Sequence, residues 1–157
     1  MDNYWTNEDY EALNRAETFL DVGLVAMHVL NRMPKDVAQL CGPISTGGLG
    51  ETKANLELFA KILEKLKKQN VIFFNQLPLE DAIVRIRVNQ GEKYDPLELL
   101  ENIYEPLFKT GKITTTYFIH GWETSLGTRW EHEQSKRRGM TIKYLPENFE
   151  EICVQTD

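Results

Sequence analysis

Residues 36–145 alternate short apolar runs with longer segments of helical periodicity, and this alternation constrains the fold more than any other feature. The predicted strands span residues 37–41, 71–74, 113–119 and 140–145. The predicted helices between them span residues 51–68, 96–109 and 125–138. This order predicts an α/β fold, with a Rossmann-like or flavodoxin-like parallel sheet of four to five strands flanked by helices.

A longer helical pattern precedes the alternation and predicts one helix over residues 6–33, which Pro34 ends. Thr6 or Asn7 can cap its beginning. We expect this helix to be an N-terminal extension of one domain that covers residues 1–157 and has its core at 36–145. The helix either covers the core or offers a surface to a partner protein.

The charge balance limits the classes of partner. Lysine and arginine number 18 against 24 acids, which gives a formal charge of −6. A general nucleic-acid binder or a protein of anionic membranes normally carries a basic surface. We therefore expect neither partner, although one local pocket could still hold a small anion.

Targeting and metal-binding signals are not found in the sequence. The two cysteines, Cys41 and Cys153, form no motif with each other or with histidine, so we expect no metal site. No apolar run reaches the ~18 residues that span a bilayer. The first residues are acidic and polar, unlike a secretory signal, and we expect a cytoplasmic protein.

The loop after the first predicted strand, GPISTGGLG, is rich in glycine. Such a loop before a helix can bind a phosphate or a carboxylate through backbone amides and hydroxyl groups. The candidate ligand-binding residues in it are Gly42, Ser45, Thr46, Gly47 and Gly48. Glycine occupies the lysine position of a Walker A loop, so we expect no ATP hydrolysis and no dinucleotide cofactor. A tight connection without a ligand would use glycines as well.

A second polar segment follows the third predicted strand, and both loops should lie at the carboxyl edge of the sheet, where ligands bind. Ser125 resembles a helix N-cap, and Gly127 falls in the first turn despite its poor helix propensity. Glu131 lies less than two turns further on and is either catalytic or solvated. Trp122 could stack on a nucleobase or close an apolar rim. Asn75, after the second predicted strand, could contact a base or cap a turn.

The segments CGPISTGG and GWETSLGTRWEHE resemble, in order and spacing, those of the nucleoside 2-deoxyribosyltransferase superfamily. The resemblance covers residues 37–145 and is nearest to the deoxynucleoside 5′-monophosphate N-glycosidases and to small proteins with a GWxxSxGxxxE motif. It implies that Glu131 is the nucleophile of a retaining mechanism, that Ser125 contacts a 5′-phosphate, and that the glycine loop wraps the sugar. It also implies a homo-oligomer that needs no cofactor.

The activity implied by the resemblance is cleavage of the N-glycosidic bond of a nucleotide or nucleoside. Water as the acceptor makes the protein a hydrolase, and a second base makes it a transferase. Members of the family usually place an aspartate before the third strand, and this sequence has no clear counterpart. The alternative is therefore a nucleotide-binding module without turnover.

Overall fold

A computed structural model describes residues 4–152 of the chain. The helices are α1 (Asn7–Arg15), α2 (Phe19–Arg32), α3 (Thr52–Lys67), α4 (Glu80–Gln90), α5 (Pro96–Leu99), α6 (Glu105–Lys109) and α7 (Leu126–Arg137). The strands are β1 (Val37–Cys41), β2 (Ile113–Phe118) and β3 (Thr141–Tyr144). Short 3-10 turns span Leu77–Leu79, Gly91–Lys93, Trp122–Thr124 and Phe149–Glu151, and a π-helical segment spans Leu100–Tyr104.

The chain divides into two compact units, each built from two separate stretches of sequence. Within the described residues, the first unit contains residues 4–37 and 74–113, and the second contains residues 38–73 and 114–152. The chain therefore passes from one unit to the other three times. That the whole chain is a single domain stays a prediction.

The first unit is helical, and its N-terminal segment forms two helices where the sequence predicted one over residues 6–33. The break has a local cause, because Thr18 and Asp21 form a capping box that starts α2. Arg85 of α4 donates to the carbonyl oxygens of Leu13 and Ala16 at 2.8 and 2.7 Å and so satisfies the end of α1. The N-terminal helices are thus built into this unit.

The second unit contains a parallel sheet whose strands lie in the order β1-β2-β3. Thr115 pairs with Thr141, and the register continues to Phe118 and Tyr144. Strand β1 is buried along its whole length, whereas β3 is largely exposed at the edge. The α/β class and the parallel sheet of the sequence prediction are confirmed.

The structure corrects the predicted number of strands, because residues 4–152 form three and not four or five. The predicted strand at 71–74 is reduced to one parallel bridge between Ala38 and Phe73, with the Ala38 amide bonded to the Ile72 carbonyl at 2.8 Å. Beyond it, the Asn75 side chain accepts from the Leu77 amide at 3.0 Å and starts a 3-10 turn. The chain leaves the sheet before a second pair can form.

Candidate functional site

Glu131 lies in the middle of α7 and is buried, with only 6% of its surface exposed. Its Oε2 accepts a hydrogen bond of 2.6 Å from Nε2 of Gln39, which lies on β1 and is fully buried. The carboxylate therefore faces the sheet of the second unit and not bulk water. A glutamate in a helix as polar as α7 is ordinarily exposed, so this burial distinguishes Glu131 from its exposed neighbour Glu133.

Strand β1 presents a second polar side chain to the same carboxylate. Side chains two residues apart on a strand share a face, so Cys41 lies beside Gln39. Burial, and then the charge and hydrogen bonding of Glu131, raise the pKa of the Cys41 thiol well above its usual value. An amide and a neutral thiol thus border the Glu131 carboxylate on this side.

The backbone of Glu131 is held by a short chain of buried hydroxyl groups. Thr116 of β2 donates to the Ser135 hydroxyl at 3.0 Å, and Ser135 donates to the Glu131 carbonyl at 2.8 Å. Thr116 and Ser135 are both fully buried. Buried hydrogen bonds of this kind fix α7 on the sheet and thereby fix where the Glu131 side chain begins.

Gln39 uses only part of its hydrogen-bonding capacity. Its Oε1 is buried and has no hydrogen-bond partner in the described part of the chain, and the same holds for Oγ1 of Thr128 in the first turn of α7. A buried acceptor without a donor costs about 1–3 kcal/mol. The Gln39 side chain thus directs its nitrogen to Glu131 and leaves its oxygen as a buried acceptor.

The glycine loop is organised by Asn55 of α3. Its Nδ2 donates to the carbonyl oxygens of Ile44 and Gly47 at 3.0 and 3.1 Å, and its Oδ1 accepts from the Leu49 amide at 2.9 Å. Gly47 and Gly48 both have positive φ, of 68° and 61°, which favours glycine. The contacts with Asn55 and the two positive φ angles thus define the conformation of the loop.

The two predicted loops meet in the structure. Thr46 Oγ1 lies 3.4 Å from the Ser125 hydroxyl, and the Gly48 amide donates to Thr124 Oγ1 at 2.7 Å. A Cβ added to Gly47 would lie only 2.5 Å from the carbonyl carbon of Thr124. Residues 46–48 of the glycine loop therefore contact the turn that leads to Ser125 at the beginning of α7.

Ser125 is the N-cap of α7, as the sequence predicted, and accepts from the Thr128 amide at 3.4 Å. The first N–H groups of a helix have no acceptor within the helix, and Gly127 supplies one of them. Gly42 packs tightly against Ile119, so its missing side chain serves protein packing. Ser45 and Thr46 are exposed.

Trp122 packs against other rings of the protein. Its indole stacks on the His132 imidazole, with ring centroids 4.1 Å apart and an interplanar angle of 24°. Phe118 and Tyr144 complete this cluster, and the Tyr144 hydroxyl lies 2.6 Å from His132 Nε2. Burial, and then the charge of Lys136, lower the pKa of His132. Stacking of Trp122 on a nucleobase stays a prediction.

Asn75 belongs to the first unit, whereas the residues described above belong to the second. Its side chain accepts from the Leu77 amide at 3.0 Å, and its carbonyl accepts from the Trp5 indole at 3.0 Å. Glu80 lies in the same unit, where burial, and then the charge of Asp81, raise its pKa to about 7. Contact of Asn75 with a base stays a prediction.

The sequence did not single out Gln39, Asn55 or Thr124. Gln39 had a visible signal, since it is the only polar residue in the strand VAQLC. Asn55 and Thr124 had none, because asparagine and threonine are common in helices and loops and their roles depend on distant partners.

The described residues contain no cluster of three or more metal-ligating side chains. Among residues 4–152, no helix combines the length and the apolar character needed to cross a bilayer. Comparison of the chain with protein families, with curated proteins and with solved structures finds no match.

Proposed function

We propose that the protein cleaves the N-glycosidic bond of a nucleoside 5′-monophosphate, with Glu131 as the nucleophile. The observation that carries the proposal is the burial of Glu131 against Gln39, in a helix whose N-cap touches the glycine loop. The resemblance of CGPISTGG and GWETSLGTRWEHE to the nucleoside 2-deoxyribosyltransferase superfamily supplies the type of reaction.

The arrangement supports two subsites along α7. Ser125, Thr46 and the first amides of α7 offer donors to a 5′-phosphate. Glu131 lies six residues further, which corresponds to ~9 Å along the helix axis. The 5′-phosphate and the anomeric carbon lie at opposite ends of the sugar, so in this proposal one nucleotide places its phosphate near Ser125 and its C1′ toward Glu131.

The reaction proceeds in two displacements at C1′. The Glu131 carboxylate attacks C1′ and forms an ester, while the C1′–N bond breaks and its electron pair leaves with the nucleobase. The departing base takes its proton from water. A water molecule then attacks C1′, and the C1′–O bond to Glu131 breaks with its electron pair returning to the carboxylate. The proton lost by this water neutralises the hydroxide left by the first step, and the sugar phosphate is released. A second base in place of water would make the reaction a transfer.

The test is release of free nucleobase from a panel of deoxyribonucleoside and ribonucleoside 5′-monophosphates, measured by chromatography. We expect Glu131→Ala to lower kcat/KM at least ~10³-fold, because the variant can still bind the substrate but has no nucleophile to attack C1′. Glu133→Ala is the matched control, since Glu133 lies on the same helix, is exposed and pairs with Arg137. Undiminished activity in Glu131→Ala would refute the mechanism.

A second candidate function is nucleotide binding without turnover. The β1 side chains that border Glu131 are an amide and a thiol, and neither is an acid that could protonate the leaving base. Calorimetric binding of a nucleoside monophosphate, with no base released at high protein concentration, would favour this function. The proposed homo-oligomer is tested separately by sedimentation equilibrium.

A further inference from the structure

Thr124 joins the glycine loop to the turn before α7 through its hydroxyl group. Its Oγ1 accepts from the Gly48 amide at 2.7 Å and donates to the Gly121 carbonyl at 2.7 Å. One donor and one acceptor site of the hydroxyl are thereby used. Valine has nearly the same shape but neither donates nor accepts a hydrogen bond. Thr124→Val therefore removes both hydrogen bonds and keeps the volume of the side chain.

The backbone on both sides of this hydrogen bond leaves no room for other side chains. Gly47 lies directly against Thr124, since an added Cβ would lie 2.5 Å from the threonine carbonyl carbon and from Oγ1. A Cβ on Gly48 would lie 2.6 Å from Asn55 Oδ1 and 2.8 Å from Pro43. The absence of side chains at Gly47 and Gly48 therefore lets the loop pack against Thr124 and Asn55.

Three consecutive backbone amides of the glycine loop form hydrogen bonds within the protein. The amides of Gly48, Leu49 and Gly50 bond to Thr124, Asn55 and Gly47, at 2.7, 2.9 and 3.1 Å. These three groups serve the loop and not a ligand. The exposed Thr46 hydroxyl donates to the hydroxyl of the buried Ser125 at 3.4 Å, and Ser125 also accepts from the Thr128 amide.

We infer that Thr124 is a positioning residue, which holds the glycine loop against the turn so that Thr46 and Ser125 are preset for the phosphate of a nucleotide. This inference rests on the proposed function for its ligand. It assigns Thr124 a role in substrate affinity and none in the chemical step, because its only hydroxyl proton is donated to the Gly121 carbonyl and its oxygen accepts from Gly48.

The experiment compares Thr124→Val, Thr124→Ser and the control Thr141→Val, an exposed threonine of β3. Amide hydrogen exchange of Gly48, measured by NMR without ligand, should be at least ~5-fold faster in Thr124→Val, because one hydrogen bond to this amide is lost, and restored in Thr124→Ser. The KM for deoxyadenosine 5′-monophosphate should rise about 3- to 10-fold in Thr124→Val, as expected for one lost hydrogen bond, with kcat within twofold.

Unchanged exchange of the Gly48 amide in Thr124→Val would overturn the inference, whatever the activity. Faster exchange with an unchanged KM would also overturn it, since the loop would then be held for another purpose. A failure of the proposed function can be told apart from a failure of this inference. In that case the wild-type protein neither cleaves nor binds any nucleoside monophosphate, while the exchange measurement still reports whether Thr124 holds the loop.

Discussion

Gln39 and Glu131 lie 92 positions apart in the sequence and share a buried hydrogen bond of 2.6 Å. The donor is a neutral amide and the acceptor is a carboxylate. Hydrogen bonds to charged groups are stronger than those between neutral groups, and losing one partner leaves a buried group unsatisfied. The pair therefore matters for stability as well as for the proposed chemistry.

We predict a coupling free energy of about 1.5–3 kcal/mol between these two residues. The measurement is a double-mutant cycle of Gln39→Leu and Glu131→Leu, with unfolding by urea. A control cycle of Gln39→Leu and Glu133→Leu should give less than ~0.5 kcal/mol, because Glu133 is exposed. Equal coupling in the two cycles would contradict the observed pairing.

At this scale the sequence identified residues by type but not by environment. Ser125 was correctly identified as an N-cap, because capping needs only a hydroxyl just before the helix. The burial of Glu131 could not be seen, because its neighbours in α7 are mostly polar and the burial comes from β1. The strand VAQLC contains one amide side chain among apolar residues, and a buried amide needs a polar partner. This was the only feature of the sequence that pointed to Gln39.

The element that departs most from regular geometry is the helical segment at residues 96–109, in which a π-helical stretch precedes Pro106. Proline has no N–H to offer to the carbonyl four residues earlier, which is that of Asn102. This carbonyl oxygen lies against Gly23 of α2, where an added Cβ would overlap it. The missing side chain of Gly23 allows α2 to pack closely on the π-helical stretch.

We predict that Gly23→Ala destabilises the protein by about 1–3 kcal/mol, although alanine favours helices, because an added methyl group overpacks this contact. Thermal or urea unfolding checks the change. Leu24→Ala, next to it on the exposed face of α2, should change stability by less than ~1 kcal/mol. A stabilising effect of Gly23→Ala would show that α2 and residue 102 are further apart.

Local patterns located most elements. The predicted helices at 51–68 and 125–138 correspond to α3 and α7, and the strand at 37–41 matches β1. Periodicity and capping act over a few residues, so they can be read from the chain. The second strand was overestimated, because an apolar run predicts burial but not how many residues find a partner on the sheet.

On the scale of the whole chain, the N-terminal helices contribute to the core of the first unit. Phe19, Val22, Ala26 and Leu30 of α2 are all fully buried. Their partners in that unit come from residues 74–113, which lie far along the sequence. Helix α2 therefore contributes to the core of the first unit, and the assignment of residues 6–33 as an extension of one domain stays a prediction.

We predict that deletion of residues 1–35 prevents native folding of the first unit. Each large apolar side chain lost from the core removes roughly 1.5–3 kcal/mol of stabilising free energy from its burial. The net free energy of unfolding of a typical domain is only about 5–15 kcal/mol. The truncated chain should bind the dye ANS and lose dispersed methyl signals from residues 74–113 in NMR spectra. Native methyl shifts for those residues would contradict the prediction.

The α/β class, the positions of α3 and α7 and the N-cap of α7 could be read from the amino-acid sequence, because they depend on spacings of two to four residues. Tertiary structure alone decided that Glu131 is buried, that Gln39 binds it and that Thr124 meets Gly48 across 76 positions. It also decided that each compact unit combines two distant stretches of chain. Such contacts form when separate elements pack, and no local pattern of the chain encodes which polar side chain will face which.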